Sequence, residues 1–222
     1  MHDRMTRRGS LVALAGGLAA ALGWRADDAG AGPAGVASGA VSCVLTPEMT
    51  EGPYYLPNER VRRNITEGRP GTPLTLALTV VDASTCKPIK GAAVDVWHAD
   101  ALGVYSGVQG NTGTFMRGVQ RTDAYGVARF TTVYPGWYQG RTVHIHVKVH
   151  LHSNVVHTGQ LFFADSLTDA VYTKAPYASR GTRDTRNASD SIFRNGGSRS
   201  LLRLHKGSSG YVGAITMGVH RT

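Results

Sequence analysis

Between Val143 and His152 every second residue is aliphatic and each one between is a histidine or a lysine, and this alternation constrains the fold more than any other feature. Val143, Ile145, Val147, Val149 and Leu151 fall on one side of an extended chain; His144, His146, Lys148, His150 and His152 fall on the other. Successive side chains of a strand point to opposite faces, so the pattern predicts a strand with one face in a core and one carrying polar groups. The same logic predicts strands over 74–81, 92–98, 126–133, 142–152, 158–164 and 211–219. The stretch 82–91, containing Pro88 and ending in Gly91, and the tetrapeptide Asp123-Ala124-Tyr125-Gly126 supply turns between them. Residues 165–197 read as loop with at most a short helix. Short strands joined by glycine-rich connections predict an all-β fold, an antiparallel β-sandwich with loop-rich connections, with a barrel as the alternative closure.

The 222 residues suit one domain with a sizeable core. Residues 1–40 differ in composition from the rest: Arg4, Arg7 and Arg8, an apolar stretch over 11–22, then sequence rich in alanine, glycine and serine up to Ala40. This reads as an export signal and linker, with 41–222 as the domain and cleavage after Ala29 or between Ala37 and Ala40. Thr6-Arg7-Arg8-Gly9-Ser10-Leu11 resembles a twin-arginine motif, a route that carries folded proteins; an ordinary secretory signal is the alternative. A secreted protein is therefore expected. No run of eighteen apolar residues is present, so no membrane span is expected. The formal charge is +9, concentrated after Tyr172, where nine Lys or Arg face only Asp184 and Asp190. Such a surface either attracts carboxylate-bearing substrates or is a solvated face, and the export signal disfavours nucleic acid as a partner. Cys43 and Cys86, the two cysteines, are expected to form a disulfide in an oxidising compartment.

Two imidazoles at His144 and His146 project to the same side of a strand and can grip one metal ion. Alone, this spacing describes an exposed polar face more often than a metal site. Here, however, Arg141 lies three positions upstream, and Pro135-Gly136-Trp137-Tyr138 precedes it, so a phenol, a guanidinium and two imidazoles crowd into nine residues.

These motifs resemble the intradiol ring-cleavage dioxygenases, the family of the catechol and protocatechuate dioxygenases. The resemblance begins at Thr50-Glu51-Gly52-Pro53-Tyr54-Tyr55. It continues through Val96-Trp97-His98-Ala99-Asp100-Ala101-x-Gly103-x-Tyr105, Tyr134-Pro135-Gly136-Trp137-Tyr138 and Arg141-x-x-His144-x-His146, and ends at Gln160-Leu161-Phe162-Phe163. It implies one non-haem Fe(3+) per chain, held by Tyr105, Tyr138, His144 and His146. It also implies catechol-type substrates opened with O2 between the hydroxyl-bearing carbons to cis,cis-muconate-type dicarboxylic acids. By the same resemblance Tyr138 is the displaceable tyrosinate that helps accept a substrate proton, and Arg141 stabilises charge building on the ring. Gln160 is a polar group near the iron, and Gly52, Pro53 and Tyr54 line the substrate pocket. Trp137, beside Tyr138, is expected to shape the pocket mouth, while Trp97 is expected to point into the sandwich. Only five residues separate Tyr138 from His144, so the loop that shapes the pocket in longer members is trimmed, and substrate preference does not transfer. The long N-terminal helical region of members that dimerise through it is not seen, so that dimer is not expected. The rival readings are a zinc hydrolase or copper oxidase built on His144, His146, His150 and His152, and a non-catalytic β-sandwich that adheres to phenolic polymers.

Overall fold

The structure is a computed structural model that describes residues 45–57 and 59–221. The expected export signal and Cys43 lie outside the described residues, and with Cys43 lies the expected disulfide; among the described residues no cysteine is free.

Among the described residues eight strands form two four-stranded sheets. The first has the order β4 (Val127–Val133), β1 (Pro73–Asp82), β8 (Tyr211–Val219), β7 (Arg203–Lys206); the second has the order β3 (Arg117–Arg121), β2 (Ala93–Trp97), β5 (His144–Leu151), β6 (Asn154–Phe162). All neighbours are antiparallel except β1 and β8, which run parallel with Leu74 opposite Tyr211 and Asp82 opposite Val219. The expected all-β sandwich is therefore present with one parallel pair that the sequence pattern does not announce. Between β6 and β7 lie two short helices, α1 (Asp165–Tyr172) and α2 (Ser191–Arg194), and single 3-10 turns. Among the described residues no helix is long and apolar enough to cross a membrane.

The core lies between the inner faces. Leu74, Leu76, Leu78 and Val80 of β1 meet Val94 and Val96 of β2 and Ile145, Val147 and Val149 of β5, and Phe130 and Met217 fill the space between; all are buried. Burying each such side chain contributes roughly 1.5–3 kcal/mol, and truncating one to alanine costs roughly 2–5 kcal/mol. The alternation in β5 thus has the predicted cause.

The opposite face of β5 differs from expectation in one respect. His144, His146 and Lys148 are as buried as the aliphatic residues, while His150 is half-buried and His152 exposed. Loops from both directions cover this face. Trp97, Ala99 and Tyr105 form a second cluster on it, joined by Tyr54, Tyr55, Val108 and Tyr138. Trp97 belongs to this outer cluster and does not enter the sandwich: Val94 and Val96 take the inward positions of β2, so the side chains of Asp95 and Trp97 must point outward.

Candidate metal centre

The strand register sets out the site. Arg117 of β3 pairs with Trp97 of β2, Trp97 with His146 of β5, and His146 with Gln160 of β6, so one rung crosses the whole outer face of the second sheet. Trp97 and His146 stack with ring centroids 4.9 Å apart and planes within 6°. A buried imidazole clamped against an indole keeps its orientation, and here the orientation turns Nε2 toward His144. The two Nε2 atoms lie 3.1 Å apart.

His144 Nδ1 lies 2.6 Å from the carbonyl oxygen of Thr142. A carbonyl only accepts, so Nδ1 carries the proton and Nε2 keeps a free lone pair aimed into the site. Tyr138, from the Pro135–Gly136 turn, brings its hydroxyl to 3.1 Å from that same nitrogen. Tyr105 packs against Tyr138 with centroids 5.6 Å apart, and its buried hydroxyl has no hydrogen-bond partner. Two imidazole nitrogens and the Tyr138 oxygen therefore meet in one small volume, with the unpartnered Tyr105 hydroxyl buried on the neighbouring ring.

Burial decides the protonation states. Desolvation lowers His144 to about 3, helped by the Arg141 charge, and carries His146 well below the ordinary imidazole value. Both are neutral at neutral pH, the form that ligates metals. Burial raises the Tyr105 phenol well above its ordinary value and raises Tyr138 as well, against the pull of Arg141. Two neutral phenols beside two neutral imidazoles hold no charge of their own. A tripositive ion placed among them would supply what deprotonates the phenols, and phenolate oxygen is the hard donor that ferric iron favours. The donor set fits Fe(3+).

Around these four the other expected residues take their places. Arg141 donates from Nε to Asp190 at 2.8 Å and from Nη2 to Gln160 at 2.5 Å, and Gln160 donates to the Thr50 carbonyl at 2.9 Å. Gly52 adopts φ +74°, and a Cβ there would lie 3.2 Å from His146 Cε1, so glycine serves both the backbone conformation and the close approach. The Tyr54 ring lies 4.7 Å from that of Tyr105 and 6.2 Å from that of Tyr138, and its hydroxyl accepts from Gln109. Pro53 is exposed in the same turn. Trp137, beside Tyr138 in the chain, is half-buried and packs on the main core beneath the Arg180 guanidinium, 4.4 Å from its ring centre. His150 and His152 do not join His144 and His146, and among the described residues no group of three His, Cys, Asp or Glu is placed to hold a metal.

Three contributors were not singled out from the sequence. Arg117, fully buried, donates to the Ser106 carbonyl from Nε and Nη2 and lies 5.9 Å from the Tyr105 ring. Asp95, next to it on the same face, is buried with Oδ1 unpartnered. Asp190 lies in the stretch read as loop. Arg117 and Asp190 lie in polar stretches without a periodic signal, and Asp95 is a lone polar residue between two valines, so only the fold reveals what they meet.

The protein is a β-sandwich that carries a tyrosine–histidine group on the outer face of its second sheet. The family model described as Dioxygenase matches residues 50–177, which hold Tyr105, Tyr138, Arg141, His144 and His146. The chain belongs to the intradiol ring-cleavage dioxygenase family. The "Intradiol ring-cleavage Dioxygenase from Tetranychus urticae" superposes with a TM-score of 0.77 at 37% identity, covering 80% of this chain and 95% of that one. The dioxygenase domain of a dioxygenase carbohydrate-binding protein fusion from Streptomyces sp. SirexAA-E gives 0.64 at 32% identity, covering 80% and 99%. "Catechol 1,2-dioxygenase 2" of Acinetobacter lwoffii is 35% identical over 165 residues, which are 66% of this chain; the match spans 57% of that relative's length.

Proposed function

We propose that this protein is a secreted non-haem Fe(3+) dioxygenase that opens catechols between their two hydroxyl-bearing carbons, incorporating both atoms of O2 to give cis,cis-muconate-type dicarboxylic acids. The carrying observation is the meeting of Tyr138 Oη, His144 Nε2 and His146 Nε2, each 3.1 Å from the next, beside the unpartnered Tyr105 hydroxyl. When bound, ferric iron supplies the positive charge that keeps both phenols ionised and withdraws electron density from the catecholate ring, making the ring the point of attack by O2.

The chain's own groups divide the remaining work. Tyr105 is buried at 3% exposure and packed by Tyr54 and Arg117, which suits a ligand that stays in place. Tyr138 is only half-buried, at the end of a short turn, which suits a ligand that leaves and takes a proton from a substrate hydroxyl. Arg141 carries a fixed cation beside Tyr138 and His144 and stabilises negative charge developing on the ring. Gly52 keeps the wall beside His146 flat enough for an aromatic ring to approach. Residues 1–40 support action outside the cytoplasm.

The test is the visible spectrum of iron-loaded protein before and after catechol is added without O2. A broad tyrosinate-to-iron band that moves to longer wavelength on adding catechol supports the reading; a featureless spectrum with iron bound contradicts it.

A further inference from the structure

We propose that Asp190 is a positioning residue for the ring-cleavage reaction: it holds the Arg141 guanidinium in place against Gln160 and so aims the one nitrogen left free at the substrate. The inference rests on the function proposed above. Asp190 is 1% exposed and its two oxygens do different jobs. Oδ1 caps α2, accepting from the Ile192 and Phe193 amides at 2.8 and 2.9 Å. Oδ2 accepts from Arg141 Nε at 2.8 Å and from the Thr142 amide at 2.9 Å. One carboxylate thus ties the C-terminal segment to the two residues that lead into His144.

The guanidinium is planar, and two of its nitrogens are held: Nε by Asp190 and Nη2 by Gln160 Oε1. Gln160 is itself fixed by the Thr50 carbonyl, two residues from Gly52. Two in-plane bonds define the orientation of a planar group, so Nη1 has one direction; among the described residues it makes no hydrogen bond. Neighbouring contacts stiffen the clamp, since the Thr142 hydroxyl donates to Asn187, whose amide donates to the Phe163 carbonyl. Burial pushes Asp190 toward protonation, but amide donors and the Arg141 charge outweigh it and hold it below the usual carboxylate range. The anion that Arg141 needs is present at neutral pH.

The two-sided use of the carboxylate allows a selective variant. In Asp190→Asn the amide oxygen caps α2 as well as a carboxylate does, while an NH2 group faces Arg141 Nε and the Thr142 amide and can accept from neither. In this variant we expect an unchanged tyrosinate band and an unchanged KM for catechol, with kcat reduced about tenfold to a hundredfold, a part of what losing an oriented donor costs. In an Arg141→Lys background the same change should lower kcat no more than about threefold, because effects that act through one group are not additive. In metal-free protein, where no paramagnetic ion broadens it, the Arg141 Nε–H resonance should move in Asp190→Asn relative to wild type. Wild-type kcat in Asp190→Asn, or equal losses in both backgrounds, would overturn the proposal. Wild-type protein inactive on catechols while the resonance changes as described would instead remove the proposed function and leave the clamp standing.

Discussion

Asp95 is a carboxyl group placed where a charge is costly, and replacing it with asparagine should stabilise the protein in a pH-dependent way. It lies at 3% exposure on the outer face of β2, with Oδ1 unpartnered and the Tyr55 hydroxyl beside it. Desolvation, opposed by Tyr55 and Arg117 and aided by Glu59, raises its pKa from 3.8 to about 7. The folded state therefore binds a proton more tightly than the unfolded chain. Below the unfolded value both states are protonated and nothing is lost. As pH rises toward about 7 the folded state is progressively penalised, and above that the full difference of roughly 4 kcal/mol applies. Asparagine keeps the shape and does not ionise. The stability advantage of Asp95→Asn should thus be larger at pH 8 than at pH 5 by about 2–3 kcal/mol, or a urea midpoint shift of about 1 M. Metal-free protein unfolded in urea at both pH values measures this, and the wild-type comparison cancels the histidine titrations common to both. An advantage equal at the two pH values, or a loss that grows with pH, would show that Asp95 is ionised with adequate partners and refute the reasoning.

Arg117→Met should destabilise by about 3–5 kcal/mol, because it strands the Glu59 carboxylate, 3.7 Å away and 6% exposed; adding Glu59→Gln should recover a good part of the loss in urea denaturation. Gly52→Ala combines a left-handed backbone, costing about 1 kcal/mol, with a Cβ 3.2 Å from His146, so purified variant protein should carry less iron per chain than wild type by elemental analysis. Iron uptake should release close to two protons, since both phenols are neutral in the metal-free site, and apparent affinity should rise with pH; a lightly buffered titration reads the protons directly, and uptake without release would argue against two tyrosinate ligands.

Six of the eight strands among the described residues were legible because apolar alternation marks them, and the four tyrosines and histidines that meet on the outer face were legible from local motifs. The two missed strands are edges. β3 reads Arg-Gly-Val-Gln-Arg and β7 Arg-Leu-His-Lys, and an edge strand in contact with loops or solvent has no need of the repeated apolar residue that gives a central strand away. An aromatic residue on a strand suggests the core, but the parity set by Val94 and Val96 turns Trp97 to the outer face. Asp190 was invisible for a different reason: its partners are remote in sequence, and nothing local distinguishes it from any helix-capping aspartate.

The parallel pairing of β1 with β8 joins one of the earliest strands of the domain to the last. Leu74 opposite Tyr211 places β8 in the middle of its sheet, between β1 and β7. Until β8 has been synthesised and has left the ribosome, one long edge of β1 must stand open, its amides and carbonyls unanswered. A contact so distant along the chain closes slowly, because a long loop must be ordered before any pairing repays it. A chain cut short before Tyr211 would therefore lose more than a tail: the first sheet would lack the strand that joins β1 to β7.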